Sequence, residues 1–221
     1  MTDFAPVDKL VAAIANGDMV IMVDDSDREN EGDLIFGGEH ASPEKVGFML
    51  RHTSGIICVS MLGDRLDELK LPMMVSTNTA EYRTAFTVSV DAAEGVSTGI
   101  SASDRALTIT RLADPTTEPA DLARPGHVYP LRYEPGGVLK RAGHTEAAVD
   151  LTTLAGLYPA GVLAEVMNDD GTVARLPDLK RFAEEHGLLI GTIADAVSLQ
   201  HEPLQRRPQH VAHELRRNPR K

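Results

Sequence analysis

The chain has 221 residues, a formal net charge of −11 at pH 7, 42% hydrophobic residues and one cysteine, Cys58. This length fits one large domain or two small ones. A single cysteine excludes an internal disulfide and a multi-cysteine zinc site. No apolar run approaches the roughly 20 residues that span a bilayer, and the N-terminus lacks the pattern of a secretory signal. We therefore expect a cytoplasmic protein without a membrane partner.

Basic residues are concentrated at the C-terminal end of the chain. Residues 201–221 hold six Arg or Lys against two Glu, which leaves a net charge of −15 on the first 200 residues. An acidic body argues against nucleic acid as a partner. The last segment is polar, contains three prolines and has few apolar anchors. We expect one domain over residues 1–200 and a basic, mobile tail over 201–221.

Short strands and amphipathic helices alternate in the first half of the chain. The helix over residues 43–52 has a clear start signal, with Ser42 as its N-cap and Pro43 at its first position. A long loop is expected over 71–82, where polar residues and a proline interrupt the pattern. Strands are predicted over residues 19–23, 33–36, 55–61 and 84–90, and helices over 7–14, 43–52, 64–69 and 103–112.

The second half continues the same alternation without an internal repeat. Residues 114–125 are expected to be irregular, and Thr145 is expected to cap a helix. Strands are predicted over residues 127–131, 162–167 and 188–190, and helices over 178–186 and 193–200. Alternating elements with close hairpin-like pairs predict an α/β fold (α+β by some schemes). We expect a three-layer sandwich in which helices flank a mixed, twisted β-sheet.

An acidic segment over residues 24–33 is the most unusual part of the chain. It holds six carboxylates and Arg28 between the apolar runs 19–23 and 34–36. Like charges at this density repel, so an ordered segment needs a cation, Arg28 or both. Oxygen-rich loops suit Mg²⁺, which takes one or two carboxylates and leaves positions for water and substrate. A solvated acidic loop is the alternative interpretation.

A basic turn, Lys140–Thr145, precedes a predicted helix. Backbone N–H groups, Arg141 and the Thr145 hydroxyl together would suit an anion, although a structural cap is equally consistent with the spacing. The helix dipole should disfavour the cationic form of His144, which would leave the imidazole free to bind a metal. A surface or capping histidine is the alternative.

Two further polar residues occur in predicted strands. His127 lies at a strand entrance, where side chains are often delivered to a site, although a hydrogen-bonded histidine at a strand end fits as well. Glu165 interrupts the apolar run 162–167. In a central strand it would need a partner, whereas in an edge strand it would face water. Cys58 is expected to be a buried, inert thiol.

Residues 24–36, with the sequence DDSDRENEGDLIF, closely resemble the signature of the 3,4-dihydroxy-2-butanone 4-phosphate synthase family. The similarity is collinear over roughly residues 7–200. It continues in segments 53–56, 71–73, 95–105, 124–128, 136–139, 143–147 and 168–171. The resemblance implies a homodimer with a three-layer α/β fold and active sites near the subunit interface. Many relatives carry an additional cyclohydrolase II domain with a cysteine zinc site, which we do not expect here because Cys58 is alone.

The resemblance also implies an activity and its residues. D-ribulose 5-phosphate would become L-3,4-dihydroxy-2-butanone 4-phosphate and formate, with Mg²⁺ or Mn²⁺ as cofactor and two ions per site. Glu29 and His144 would bind the metal. The implied catalytic residues are Asp33, His127 and Glu165, and the implied substrate-binding residues are Arg28, Glu29, Asp33, Arg141, Ala142, Gly143, His144, Thr145 and Glu165. Ala142 departs from the family, which often has Gly or Pro there.

Two other functions are considered. Residues 23–27 loosely resemble the nucleophile loop of aspartyl-phosphate phosphatases, in which Asp25 would be phosphorylated during turnover. A non-catalytic module that binds a sugar phosphate or nucleotide is the other alternative, because fold does not determine function. Release of phosphate without formate would favour the first alternative. Ligand binding without turnover would favour the second.

Overall fold

The computed structural model describes residues 3–201, so the tail predicted over 201–221 lies outside the described residues except for its first residue. The helices are Val7–Ala15 (α1), Pro43–His52 (α2), Gly63–Glu68 (α3), Ala102–Ala113 (α4), His144–Leu154 (α5), Leu176–His186 (α6) and Ile193–His201 (α7). The strands are Val20–Val23 (β1), Gly32–Gly37 (β2), Cys58–Met61 (β3), Val90–Ala92 (β4), Leu122–Arg132 (β5), Ala160–Glu165 (β6) and Leu189–Thr192 (β7). Among the described residues, no helix is long and apolar enough to cross a membrane.

The strands form one mixed sheet in the order β4-β5-β3-β6-β2-β1-β7. Strand β2 pairs antiparallel with both β1 and β6, while β1 pairs parallel with β7 and β3 parallel with β5. Strand β6 therefore lies near the centre of the sheet, between β2 and β3. The predicted α/β fold with a mixed sheet is confirmed. Two positions in the sheet matter for function. The acidic segment connects β1 to β2, and β6 ends at Glu165.

Side chains of the central strands alternate between two hydrophobic cores, one on each face of the sheet. In β1, Ile21 packs into the first core and Met22 into the second. In β2, Leu34 and Phe36 join the first core and Ile35 the second. Helices α2, α3, α4 and α6 cover the first face, and α1, α5 and α7 cover the second. Because both faces of these strands are buried, their sequences are continuous apolar runs without polar alternation.

The strand predicted over residues 84–90 is wrong in position. The described strand, β4, covers Val90–Ala92, and the segment before it forms only isolated bridges through Phe86 and Thr87. The Thr87 N–H donates to the carbonyl of Pro130, 3.0 Å away. Because proline has no N–H to return, a continuous ladder cannot form at this point.

The segment predicted to be irregular over 114–125 is also partly wrong. A short 3₁₀ helix covers Pro119–Asp121, and β5 begins at Leu122 rather than near His127. Its first residues pair with the edge strand β4, with Leu122 opposite Ala92. Pro125 falls in the register shift between Ala123, opposite Asp91, and Val128, opposite Val90. Such an irregularity accommodates a proline because no ladder hydrogen bond is needed from it.

Candidate active site

Asp24 organises the acidic segment between β1 and β2. Its carboxylate is buried and accepts hydrogen bonds from the backbone N–H groups of Glu29 (3.0 Å) and Glu31 (2.8 Å). It also pairs with Nη1 of Arg28 at 2.8 Å. These bonds occupy the Asp24 oxygens and fold the segment back on itself. The negative charge of Asp24 therefore serves loop order, which the sequence allowed but did not assign to this residue.

Arg175, on the turn before α6, anchors the same loop from outside. Its guanidinium donates to the backbone carbonyls of Glu29, at 2.8 Å, and Asn30. Asn30 has a φ of 55°, a left-handed conformation that asparagine tolerates better than most residues. Sequence reasoning missed Arg175 because it lies 145 residues from Asn30 and belongs to no recognised motif.

The N-terminus of α5 brings the second half of the site to the loop. Gly143 is the N-cap residue, so the prediction that Thr145 caps this helix is wrong. The helix begins at His144 because the carbonyl of Gly143 already accepts the first helical hydrogen bond, from Ala147. Thr145 is buried in the first turn and lines the cavity.

His144 is buried and held in one orientation. Its Nε2 lies 3.1 Å from the carbonyl oxygen of Met22 in β1. A carbonyl only accepts hydrogen bonds, so Nε2 carries a proton and donates. The other nitrogen, Nδ1, faces the cavity at 3.5 Å from Oε2 of Glu29 and 3.8 Å from Oδ1 of Asp33. The fold therefore presents Nδ1 to two carboxylates.

These buried groups have strongly shifted pKa values. Burial raises the pKa of Asp33 to about 7, against the opposing charge of His144 and with the help of Glu165 and Glu29. Burial alone would lower the pKa of His144, but Asp33 and Glu29 raise it to about 9. The expectation that the helix dipole keeps His144 neutral is wrong in the metal-free protein, because two nearby carboxylates outweigh the dipole.

Two arginines converge on Gly143. A Cβ built on this residue would lie 2.5 Å from Nη1 of Arg141 and 3.0 Å from Nη2 of Arg28. Arg141 also pairs with the buried carboxylate of Glu146 at 2.7 Å, and Arg28 pairs with Glu29 at 2.5 Å. The φ of Gly143 is −119°, which suits any residue, so a Cβ here would displace the guanidinium groups rather than strain the backbone. The result is two guanidinium groups beside helix N–H groups, a set of hydrogen-bond donors that suits an anion.

Glu165 ends the central strand β6 directly opposite Asp33 of β2. The central position predicted a partner, and the Ser54 hydroxyl donates to Oε2 of Glu165 at 2.5 Å. Cys58 is buried in the neighbouring strand β3 and lines the same cavity. Burial, followed by the charges of Glu165 and Asp33, raises the pKa of its thiol well above the usual value. Cys58 is a protonated thiol, as expected, but it contacts the site.

One cavity collects these side chains. Its lining residues are Arg28, Glu29, Glu31, Asp33, Cys58, Thr84, Phe86, Leu131, Arg141, His144, Thr145, Leu163, Ala164 and Glu165. Seven of the predicted site residues are in this set. Ala142 is exposed and is not part of the lining.

His127 is the predicted site residue that the fold places elsewhere. It lies in β5, and its Nδ1 is 2.8 Å from Oδ2 of Asp91 in the edge strand β4. Its backbone N–H donates to Oδ1 of the same carboxylate at 2.9 Å. The side chain is 41% exposed and does not line the cavity. Within this subunit, His127 and Glu165 are not brought together.

The donor atoms at the centre of the cavity fit a hard divalent cation. Glu29 and His144 supply an oxygen and an imidazole nitrogen, and Oδ1 of Asp33 is a buried acceptor without a hydrogen-bond partner. Asp24 also comes within 4.8 Å of Glu29 and His144, but the loop already engages its oxygens. Carboxylate oxygens with one or two protein ligands suit Mg²⁺ or Mn²⁺. The donor set is consistent with the predicted ligands Glu29 and His144.

Comparison with known proteins places this chain in a family. The sequence model of 3,4-dihydroxy-2-butanone 4-phosphate synthase matches residues 8–199. The chain belongs to the 3,4-dihydroxy-2-butanone 4-phosphate synthase family. The enzyme of that name from Agrobacterium fabrum is 56% identical over 194 residues, which cover 88% of this chain and 91% of the relative. The resemblance inferred from the acidic segment is therefore confirmed.

Other members of the synthase family are longer than this chain. The riboflavin biosynthesis protein RibBA of Salinispora arenicola is 62% identical over 198 residues, covering 90% of this chain but 47% of the relative. The chain spans about half the length of the RibBA proteins from the two Salinispora species that it matches.

Solved structures of the synthase family share this fold. A 3,4-dihydroxy-2-butanone 4-phosphate synthase in complex with two magnesium ions superimposes with a TM-score of 0.87 at 42% identity. The superposition covers 88% of this chain and 96% of that one. The Candida albicans enzyme gives a TM-score of 0.85 at 46% identity, with 91% and 100% of the two chains covered.

Proposed function

We propose that this chain converts D-ribulose 5-phosphate to L-3,4-dihydroxy-2-butanone 4-phosphate and formate in riboflavin biosynthesis. The observation that carries the proposal is the approach of His144 Nδ1 to Oε2 of Glu29, 3.5 Å apart, beside two converging arginines. A cation site and an anion site thus share one cavity, as a phosphorylated sugar requires. Family membership over residues 8–199 supports this specific reaction.

The anion site would hold the substrate phosphate. Arg28 and Arg141 supply charged donors, and the N–H groups of His144 and Thr145 lie in the first turn of α5. The N–H of Gly143 already donates to the carbonyl of Arg141. Charge-assisted bonds from arginine and the helix N-terminus favour a dianionic phosphate. Anchoring the phosphate would orient the remaining carbons of the sugar toward Asp33 and Glu165.

We propose Mg²⁺ or Mn²⁺ as the cofactor, with two ions per site and with Glu29 and His144 as ligands. A magnesium complex of a related synthase contains two ions, which supports the proposed number. The cation would supply electrostatic stabilisation for the oxygens of an enediolate. The Met22 carbonyl keeps Nδ1 of His144 directed at this position.

Acid–base steps would fall to the carboxylates of the cavity. Removing a proton next to the ketone requires a base whose pKa lies near neutrality. Asp33 has such a pKa, about 7, and Glu165 lies opposite it on β6. We assign proton transfers to Asp33, Glu165 and His127, and substrate contacts to the segment from Arg141 to Thr145, including Ala142.

His127 would act in a homodimer, the assembly that we propose for this protein. Because His127 lies away from the cavity of its own subunit, it would reach the cavity of the partner across the interface. We further propose that residues 1–200 form the complete catalytic domain and that the protein works in the cytoplasm without nucleic acid or membrane. A chain ending at residue 200 would then retain its turnover.

Formate release from ribulose 5-phosphate, measured with Mg²⁺ present, tests the proposed activity. We expect turnover by the unmodified chain and a loss of at least about 100-fold in Glu29→Gln, because the cation loses a charged ligand. Glu44→Gln, a change in the exposed first turn of α2, is the matched control and should retain full activity. A folded Glu29→Gln protein with full turnover would refute the assignment.

The alternatives give different outcomes in the same assay. A phosphatase of the aspartyl-phosphate type would release phosphate without formate, and the comparisons with known proteins give that alternative no support. Asp25 is exposed and accepts a hydrogen bond from the Asp27 N–H, away from the cavity lining. A binding module would bind the sugar phosphate with Mg²⁺ and leave it unchanged.

A further inference from the structure

Tyr82 contacts both arginines of the cavity, although neither the sequence motifs nor the family signature singles it out. Its hydroxyl donates to the backbone carbonyl of Arg28 at 2.8 Å. The guanidinium carbon of Arg28 lies 5.3 Å from the centre of the Tyr82 ring. On the other side, Nη2 of Arg141 donates to the backbone carbonyl of Tyr82 at 3.1 Å. One residue therefore connects the acidic loop to the turn before α5.

We infer that Tyr82 is a positioning residue that holds Arg28 and Arg141 in register to bind a phosphomonoester. This inference rests on the proposed function, which assigns the two guanidinium groups to the substrate phosphate. Residues 28 and 141 are far apart in sequence, and a direct hydrogen bond between two cationic side chains is excluded because each only donates. A bridging acceptor and an aromatic face are what such a pair requires.

The electrostatics of the pair explain why a bridge is needed. The two guanidinium groups converge on Gly143, and like charges at that separation repel. Carboxylates fix Nη1 of each arginine, Glu29 for Arg28 and Glu146 for Arg141. Tyr82 restricts the remaining rotation of the two guanidinium groups. Its ring face attracts Arg28, and its backbone carbonyl accepts from Nη2 of Arg141. Substituting Tyr82 with leucine removes the ring and the hydroxyl that hold Arg28, whereas the backbone carbonyl at position 82 still accepts from Arg141. We therefore expect substitutions of Tyr82 to act first on Arg28 and, through the shifted backbone, on Arg141.

The backbone around Tyr82 is itself well defined. Asn78 donates from its side chain to the carbonyl of Thr84 at 3.0 Å and accepts from the Ala80 N–H at 3.0 Å. Arg83 follows with a φ of 51°, which completes the turn. Tyr82 is 39% exposed, so its contacts with the two arginines, rather than burial in a core, determine where its ring lies.

Two substitutions separate the parts of this bridge. Tyr82→Phe removes the hydrogen bond to Arg28 and keeps the ring, and we expect it to raise KM for ribulose 5-phosphate about threefold. Tyr82→Leu also removes the aromatic face, and we expect an increase of about tenfold. The phosphate is held equally in ground and transition states, so kcat should stay within about twofold. Mg²⁺ affinity should change less than phosphate affinity, because the contacts of Tyr82 are with the two arginines and not with Glu29 or His144. Tyr158→Phe is the matched control, because the phenol of Tyr158 lies beside Arg65 and not beside Arg28 or Arg141.

Binding of inorganic phosphate, measured by calorimetry without metal, tests Tyr82 independently of turnover. We expect affinity to fall in the order unmodified chain, Tyr82→Phe, Tyr82→Leu, with thermal stability unchanged. If the unmodified chain releases no formate but this order holds, the proposed function fails and the role of Tyr82 stands. Unchanged phosphate affinity in Tyr82→Leu would overturn the inference. Equal losses of phosphate affinity, Mg²⁺ affinity and thermal stability would also overturn it, because they would indicate a purely structural residue.

Discussion

At the scale of single residues, the site is defined by competition between a proton and a cation. His144 faces Glu29 and Asp33 in a buried position, and the carboxylates raise its pKa to about 9. A proton on Nδ1 thus balances part of their charge in the metal-free protein. A divalent cation bound at the same place would supply that balance instead, because metal ligands must be deprotonated.

This competition predicts that Mg²⁺ affinity increases with pH. A raised pKa means that the folded protein keeps the His144 proton up to about pH 9, so the cation must displace it below that value. We expect the apparent affinity to rise by up to about tenfold per pH unit between pH 7 and 9. Calorimetric titration of chelator-treated protein at three pH values measures this slope.

His144→Gln serves as the control for the pH experiment. Glutamine does not titrate, so the variant should bind Mg²⁺ weakly and with a shallower pH dependence over the same range. The same affinity for the unmodified chain at pH 7 and pH 9 would contradict the proposed role of His144.

At the scale of elements, the packing of α5 against the sheet determines where His144 lies. Gly161 of β6 sits beneath this helix, and a Cβ built on it would lie 2.5 Å from the carbonyl oxygen of Ala148 in α5. The obstructing atoms belong to the helix backbone and cannot rotate away. A side chain at position 161 would therefore push α5, with His144, away from β1 and β2.

Gly161→Ala tests this dependence. We expect the free energy of unfolding to fall by about 3 kcal/mol, as in other overpacked cores, and Mg²⁺ affinity to fall as well. Denaturant titration and calorimetry measure the two effects. Gly47→Ala in α2 is the matched control, because its nearest neighbours would be at 3.7 Å and alanine favours a helix. Equal stability of the two variants would show that α5 is not tightly seated.

At the scale of the whole molecule, the location of His127 bears on assembly. His127 pairs with Asp91 of β4, the strand at one edge of the sheet. Glu29 and Asp33 lie in the cavity, where the acidic segment connects β1 to β2. The catalytic role that we propose for His127 therefore depends on a second subunit, whose cavity it would reach. This is the structural basis for the proposed homodimer.

Mixed dimers test whether His127 acts across the interface. His127→Ala and Glu29→Gln should each be inactive alone, but a dimer of one with the other should have one complete site and regain about half of the activity per dimer. Formate release from co-expressed, separately tagged chains measures this. Glu29→Gln combined with Asp33→Asn, two changes in the same cavity, should regain nothing. A failure of the first mixture to regain activity would contradict action in trans.

Much of the fold was predictable from local sequence. Apolar runs and caps located most helices and strands within a few residues, as for Ser42 at the start of α2 and the strands on either side of the acidic segment. The failures are instructive because each depended on a partner strand. Within the strand predicted over 84–90, Thr87 bonds to Pro130, which cannot donate in return, and the first residues of β5 are ordered by β4.

The sequence by itself identified the family and the residue types of the site, because short motifs are local properties of a chain. The resemblance to that family implied Glu29 and His144 as metal ligands, a role that stays a prediction. Tertiary structure decided which atoms meet. Only folding places the Met22 carbonyl on His144 Nε2, buries Asp33 until its pKa is about 7, and joins the two arginines through Tyr82. Distances, burial and local fields arise between distant segments, so no local pattern encodes them.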